Sequence, residues 1–495
     1  MRLPLLAGGE PSVPAQRDPS ASLRAGVYRV IDVFTQDPIS DVRKLVYWSM
    51  FAFVASAAGG LIFGIYPHRG KRPTSIPSSR CATSNMLLMP PPPLTARAVL
   101  EAVAVIGTAG SLSFYFLSAL SLASFLREMR KKDRRKKLEH PPLLESQLPP
   151  VSILKPLKGV DPEIWESFCT HCEQDYPQFQ LVFGVNDPGD PAVEVVRKLQ
   201  AKYPNCAIDL IVCDRVLGAN IKVSNLVQML SAARHELLLV NDSDIRVPSD
   251  YLRKVITPLA DASVGLVTCL YRAVASPTLG SRLEALGIST DFVPGVLSAR
   301  FLEKGLHFGL GSTLAFRRGD LEAIGGFEAL LDYLADDYEL GRRIAATGKR
   351  VELSAATVDT FLPAYTLRQF FRHQLRWSRT IRDARRWGYT GLLFTFGLPW
   401  ALLTLLAAHG AAWAWLLFTV TFAARLGVGF AAAWVVLHDR QIFRRELLRN
   451  IFLLPLRDLI APLVWVASWG GNRIHWRGDS FVLKDGKLIR TIAPS

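Results

Sequence analysis

The sequence predicts an α/β fold: a cytoplasmic domain built on a mostly parallel sheet and flanked by transmembrane helices. Three observations carry that expectation. Between residues 150 and 388, short apolar runs alternate with helical stretches, as strands joined by crossover helices do. Apolar blocks stand on both sides of this region, at Val103 to Leu126 and from Gly391 onward. A dense basic run, Arg127 to Lys137, directly follows the first block, where a membrane protein keeps its cytoplasmic charge.

The 495 residues leave room for more than one domain. A mean hydropathy of +0.20 alongside 20% charged residues means that the apolar residues gather in blocks. Residues 1–95, with their Pro, Ser and Arg, are expected to be a disordered extension holding one candidate span at 47–66. Met86 and Met89, just ahead of four prolines, leave a later start open. Residues 96–126 read as a transmembrane helix and 127–149 as a basic linker. In the domain at 150–388, strands are expected at Val151 to Leu154, Phe179 to Val185, Ile208 to Val212 and Leu237 to Val240. The helices between them run through Trp165 and Phe168, over Val193 to Tyr203, and over Ser224 to Arg234. Residues 389–437 form a transmembrane helical hairpin in which Arg425 snorkels or faces a protein interior. The remainder, 438–495, is a cytoplasmic or interfacial tail. Its block at 451–469 holds Pro455, Arg457, Asp458 and Pro462, which favours a re-entrant or interfacial segment over a simple span.

Charge and cysteine content exclude two function classes. The formal charge of +15 is concentrated beside an apolar block rather than on an aromatic-bearing face, so no nucleic-acid partner is expected. Six cysteines in a chain of this length are no disulfide framework. Cys169-Thr170-His171-Cys172 lacks a second ligand pair, so it reads as reduced thiols in a helix rather than a zinc site.

The chemistry points to carboxylates. Leu237 to Val240 runs straight into Asn241-Asp242-Ser243-Asp244, and ligands of open α/β sheets bind beyond the carboxyl ends of such strands. Two acids one residue apart repel unless a cation lies between them. Asp187 ends a second strand, and Asp336-Asp337 opens a helix. Any one of these acids could be a turn former or a helix cap; three such sites in one domain favour a ligand carrying negative charge and a metal. Lys155, Lys158, Lys222 and Arg376 are the cationic candidates, with Arg376 suited to fork a diphosphate. The amphipathic stretch Tyr365 to Trp377, with Phe370 and Phe371 among basic residues, suits either an interfacial helix or a helix packed on the domain.

In order along the chain stand Val151 to Asp161, Asp187, Lys222 with Asn225, Asp242-Ser243-Asp244, Gly311-Ser312, Gly325-Gly326-Phe327, Asp336-Asp337 and Leu375-Arg376-Trp377. The set resembles membrane-bound family 2-like glycosyltransferases of the ceramide glucosyltransferase group, nearest to the bacterial enzymes associated with hopanoid biosynthesis. The resemblance covers about residues 95 to 485. It implies a GT-A fold, a UDP-sugar donor, Mg2+ or Mn2+ as cofactor, and a membrane lipid acceptor reached from the bilayer. It implies that Asp187 contacts the uracil or ribose, that Asp242 and Asp244 bind the metal, and that Asp337 is the catalytic base. His373, Arg376 and Trp377 fall on a Q/R-x-x-R-W motif whose first position departs here to histidine. Lys155 and Lys222 complete the donor-binding candidates. The implied location is the bacterial inner membrane, with the catalytic domain in the cytoplasm. The implied reaction is transfer from UDP-N-acetylglucosamine to a hopanoid polyol, the alternative being glucosylation of ceramide from UDP-glucose. Polysaccharide synthesis and a non-catalytic membrane scaffold are the rivals of other kinds.

Overall fold

The computed structural model describes residues 95–139, 148–439, 447–476 and 479–490; the candidate span at 47–66 lies outside them. The domain is built on eight strands: β1 (Val151–Pro156), β2 (Phe179–Val185), β3 (Ala207–Val212), β4 (Leu237–Val240), β5 (Ile245–Arg246), β6 (Val264–Val274), β7 (Leu314–Arg317) and β8 (Arg350–Phe361). Their order across the sheet is β3-β2-β1-β4-β7-β6-β8-β5. β1, β2, β3 and β4 pair in parallel, as do β6 and β8. β7 opposes β4 and β6, and β5 opposes β8. Six of the eight strands therefore run one way, as the alternation of strand and helix requires. Every residue of β1 and β4 is buried, the mark of strands covered on both faces. Leu154, Val182, Leu238 and Val240 enter the core on one face of the sheet, while Ile153, Leu181, Phe183 and Leu239 enter the core on the other. This is the two-residue period of a strand made visible. After β1 the chain turns to β2 and β3 on one side; after β3 it crosses to β4 on the other. The carboxyl ends of β1 and β4 thus flank the switch point at which a cleft opens.

The first three expected strands and their helices fall within a residue or two of their places. The helix expected from Ser224 instead runs Ile221–Met229, because the Asn220 side chain accepts a hydrogen bond from the Val223 amide at 3.3 Å and caps it early.

Among the described residues, three helices are long and apolar enough to cross a membrane: Ala96–Lys132, Ala412–Val436 and Leu447–Trp469. Arg386–Thr395 and Gly397–Ala407, bent by 53° at their junction, qualify only as a pair. The first helix does not stop at the expected linker. It continues to Glu139, since Arg, Lys and Glu are strong helix formers. Its far end is tied down: Glu128 accepts from Lys132 at 3.0 Å and from Arg300 at 2.5 Å, and Lys132 reaches Glu352. Small residues let the apolar helices close up. A Cβ at Gly107 would meet the Trp400 ring at 2.2 Å, and one at Gly110 would meet Phe394 at 2.7 Å.

Leu447–Trp469 is one continuous helix despite Pro455 and Pro462. Its Asp458 is buried against Arg425, which donates two hydrogen bonds to it at 2.8 and 2.9 Å. Of the two settings expected for Arg425, the protein interior is the one observed. The tail then forms a second, antiparallel sheet of β9 (Arg473–Trp476), β10 (Asp479–Lys484) and β11 (Lys487–Arg490). Asp485 and Gly486, both at positive φ (53° and 78°), make its two-residue turn.

Candidate active site

Beyond the end of β4, four carboxylates and one lysine converge. The Lys222 ammonium lies 2.9 Å from Asp242 Oδ1 and 3.2 Å from Asp336 Oδ2. Burial works to lower its proton affinity, but Asp242, Asp336 and Asp337 outweigh burial and raise it. Lys222 is therefore a fixed positive charge. It is supplied by the turn of helix that Asn220 caps, and Asn220 also donates to the Tyr333 carbonyl at 2.7 Å. One side chain thus joins the helix carrying the cation to the segment leading into the acids.

Asp337 opens the helix Asp336–Ala346. Its Oδ1 accepts from the Tyr338 amide at 2.8 Å, yet burial and then the Asp336 charge push its carboxyl up to about 6. Glycines make the site tight. A Cβ at Gly341 would lie 2.1 Å from the Gly309 amide, so this helix packs directly on the backbone of the loop before β7. A Cβ at Gly311 would fall 3.0 Å from Asp337 Oδ2 and 3.4 Å from Asp242 Oδ2. Both carboxylates therefore face the same bare stretch of chain, and the space between them exists because Gly311 has no side chain.

Asp244 accepts from the Thr360 hydroxyl. Its carboxyl is raised to about 6, first by burial and then by Asp242. Among the described residues, no group of three or more His, Cys, Asp or Glu side chains could hold a metal ion by itself. The donor set still suits a hard divalent cation, which binds through one or two carboxylates plus a substrate's phosphate oxygens. The mutual strain of Asp242 and Asp244 is what such an ion would relieve.

The other expected residues divide. Lys155 does not open onto the cleft: it is 0% exposed. Its Nζ donates to the Asp242 carbonyl at 2.9 Å and lies 3.4 Å from His171 Nε2, so it supports the acidic loop from beneath. Burial pulls Lys155 down to about 7, against the pull of Asp244 and Asp242, and holds His171 at about 3. Asp187 stands exposed at the edge, where its Oδ1 accepts from the Gly189 amide at 2.8 Å. His373 lies 3.2 Å from the buried Glu284 and stacks on Tyr365 at 5.4 Å. Trp377 follows at 5.5 Å from the His373 ring and 6.1 Å from Phe292. Arg376, on the same helix (Leu367–Ala384), is half-buried. Its charge acts on the Tyr365 hydroxyl: burial first, then Glu284, Asp244 and Asp161, push the phenol up to about 12 against the lowering pull of Arg376. This places Arg376 on the aromatic side of the acids.

Sequence reasoning missed four contributors. Asp161 accepts from the Ser243 hydroxyl inside the Asp-x-Asp. Tyr271 on β6 has its phenol raised by burial and then by Asp337 and Glu284. Trp476 and Asp479, from the tail sheet, line the cavity over the cleft together with Phe481, opposite Asn186, Lys222 and Asp242. For the tail a signal existed: Asp485-Gly486 between apolar-alternating runs marks a hairpin.

Residues 113–489 match the model of Glycosyl transferase family 21. Ceramide glucosyltransferase 3 of Caenorhabditis elegans is 25% identical over 424 residues, covering 81% of this chain and 87% of that protein. Ceramide glucosyltransferase 1 of the same organism is 24% identical over 370 residues, covering 72% and 76%. Among solved structures, a mannosyltransferase from Pyrobaculum calidifontis in complex with GDP-Man and Mn2+ is 21% identical, with a TM-score of 0.41, and covers 74% of this chain and 99% of that one.

Proposed function

This chain belongs to glycosyl transferase family 21, and we propose that it moves glucose from UDP-glucose to a hydroxyl of a ceramide-like lipid at the membrane surface. It is a glycosyltransferase. For donor and acceptor, the pair expected first, UDP-N-acetylglucosamine and a hopanoid polyol, finds no support among the relatives. The alternative, ceramide and glucose, is the chemistry that the relatives' names carry. We read the three apolar helices as spans and the α/β domain as a GT-A domain on the cytoplasmic side.

The observation that carries the proposal is the convergence of Asp242, Lys222 and Asp337 around the gap left by Gly311. The reaction breaks the bond between the anomeric carbon and the diphosphate oxygen, forms one to the lipid oxygen, and releases the hydroxyl proton. Asp337, the carboxylate with raised proton affinity, accepts that proton. Asp242 and Asp244 would hold a divalent ion, Mg2+ or Mn2+, which would supply positive charge at the leaving diphosphate. Lys222 is a fixed cation in contact with Asp242, and Arg376, on the helix Leu367–Ala384, is the second cation we assign to the diphosphate. Lys155 keeps the Asp242 backbone in place from below. A single displacement inverts the sugar, turning an α-linked donor into a β-linked product.

The lipid acceptor is supported by the exposed apolar side chains on the three long helices, among them Phe116, Leu416, Phe452, Leu463 and Val466. The test is to incubate membranes containing the protein with labelled UDP-glucose or UDP-N-acetylglucosamine, offering ceramide and hopanoid polyol together, and to weigh the extracted lipids. Hexosylceramide that disappears on chelation is the expected product. A polymer, or no glycolipid, would overturn the reading, and an N-acetylhexosaminyl hopanoid would restore the first expectation.

A further inference from the structure

The tail sheet covers the cleft in a way that the catalytic chemistry does not require. Ile474, Phe481, Leu483 and Leu488 form a small core with Leu334, whose amide donates to the Gly486 carbonyl at 3.1 Å. The Leu488 amide donates to the Asp332 carbonyl at 2.7 Å, and the Gly486 amide donates to the Asp383 carboxylate. The hairpin is thus fastened at two places: to the segment that leads into Asp336-Asp337, and to the helix that carries Arg376. Nothing about proton transfer or charge stabilisation calls for a second sheet here.

Its position answers a different need. On the proposed function, the diphosphate is held by Asp242 and Lys222 at one part of the cavity, so the nucleoside must extend along the remainder. The expected base contact, Asp187, uses one oxygen on the Gly189 amide at 2.8 Å and is exposed, so it offers a hydrogen-bond acceptor but no surface on which a base could stack. The cavity wall opposite Asn186 is formed by Trp476, Asp479 and Phe481. Phe481 is 1% exposed and serves the small core, whereas Trp476, which packs on that core but is only half-buried, and the exposed Asp479 present surface to the cavity. They are opposed in the β9–β10 ladder, so an indole and a carboxylate stand side by side at one end of the hairpin. A flat aromatic face beside a carboxylate matches a nucleoside: the ring stacks on the base, and the acid accepts hydrogen bonds from ribose hydroxyls or a base N–H.

We propose that the C-terminal β-hairpin is the nucleoside half of the donor site, with Trp476 stacking on the base and Asp479 accepting hydrogen bonds from the nucleoside. This rests on the donor being a nucleoside diphosphate sugar. The β9–β10 hairpin that carries Trp476 and Asp479 shares β10 with the β10–β11 turn, which is tied to the helix of Arg376 and to the run-in to Asp337, so a nucleoside seated there bears on the two elements that act on the diphosphate and the acceptor.

The test uses the full chain in lipid nanodiscs, with UDP and UMP as probes. Trp476→Ala should weaken both nucleotides alike by ~10-fold, the scale of one lost base–aromatic stack, while the KM for the lipid stays unchanged. Trp476→Phe should recover most of that loss, and Asp479→Asn should weaken UMP by ~5-fold. Wild-type UMP affinity in both Trp476→Ala and Asp479→Asn would overturn the proposal, as would a Trp476→Ala loss that Phe does not repair and that raises the lipid KM as well. The underlying reading fails separately: Asp242→Asn that binds UDP as tightly as wild type would remove the diphosphate site itself.

Discussion

Two of the clusters of Asp with Arg or Lys among the described residues are built on opposite principles. In the cleft, Asp242, Asp336 and Asp337 share the ammonium of Lys222, Asp244 and Asp242 act on the buried Lys155 beneath, and Asp244 and Asp337 are pushed up to about 6. Between the apolar helices, Arg425 and Arg457 meet Asp291 and Asp458 in equal numbers, with contacts of 2.5 to 2.9 Å. The second cluster is balanced and shut at its centre, where Arg425 and Asp458 are 3% and 7% exposed, with Asp291 at its open edge. The first is short of positive charge and open to a cavity. The same residue types therefore mean different things. Matched and enclosed, they join elements together; unmatched and open, they wait for a ligand that completes the charge.

The sharpest way to break this comparison is to neutralise one acid in each cluster. Asp337→Asn should lower kcat by about 10^3-fold while UDP affinity, read by calorimetry, stays within about 2-fold. Near-normal turnover would remove Asp337 as the base. In the closed cluster, Arg425→Met should cost about 3–5 kcal/mol by leaving Asp458 buried and unpaired, seen as a lowered unfolding temperature. The fraction that remains folded should bind UDP normally. Arg425→Met with Asp458→Leu should recover much of that stability, and a loss of UDP affinity in either variant would show the two clusters to be coupled.

The raised carboxyls predict the pH response. A base acts only when ionised, so kcat should be level above about pH 7 and fall roughly tenfold per unit as pH drops below about 6, the value of Asp337. A rate flat down to pH 5 would contradict its role. The smallest effect expected is that of Gly311→Ala. Its methyl would stand 3.0 Å from Asp337 Oδ2, and we expect kcat to fall about 5-fold, the cost of displacing a positioned group, with UDP binding little altered.

Much of the domain was legible because its first half is written in short periods. β1 to β4 are near-continuous apolar runs separated by helices, and a buried parallel strand has little other way to be encoded. The second half was harder. β6 and β8 are long and pair directly in parallel, with the antiparallel β7 on the other side of β6, and nothing local in Val264 to Val274 tells which partners it will find. The acids were readable from their place at strand ends and at a helix start, since those positions are fixed by secondary structure alone. The burial of Lys155 was not, because it depends on a carbonyl 87 residues away. His373 was placed by motif position, but its partner Glu284 lies on another helix. The tail was read for which side it lies on and not for its turn, although Asp485-Gly486 was in view.

The helix that begins at Ala96 and ends at Glu139 has 44 residues, about 66 Å of rod, roughly twice what the hydrocarbon of a bilayer needs. The excess is a pillar, braced by Arg300 and Glu352 against the catalytic body. On the proposed membrane placement, it sets the altitude of the cleft over the lipid headgroups. An acceptor is then selected partly by stature: its hydroxyl must stand where the pillar holds the sugar. Removing one turn would lower that working height by about 5 Å, enough to change which lipids are within reach without touching a single residue of the pocket.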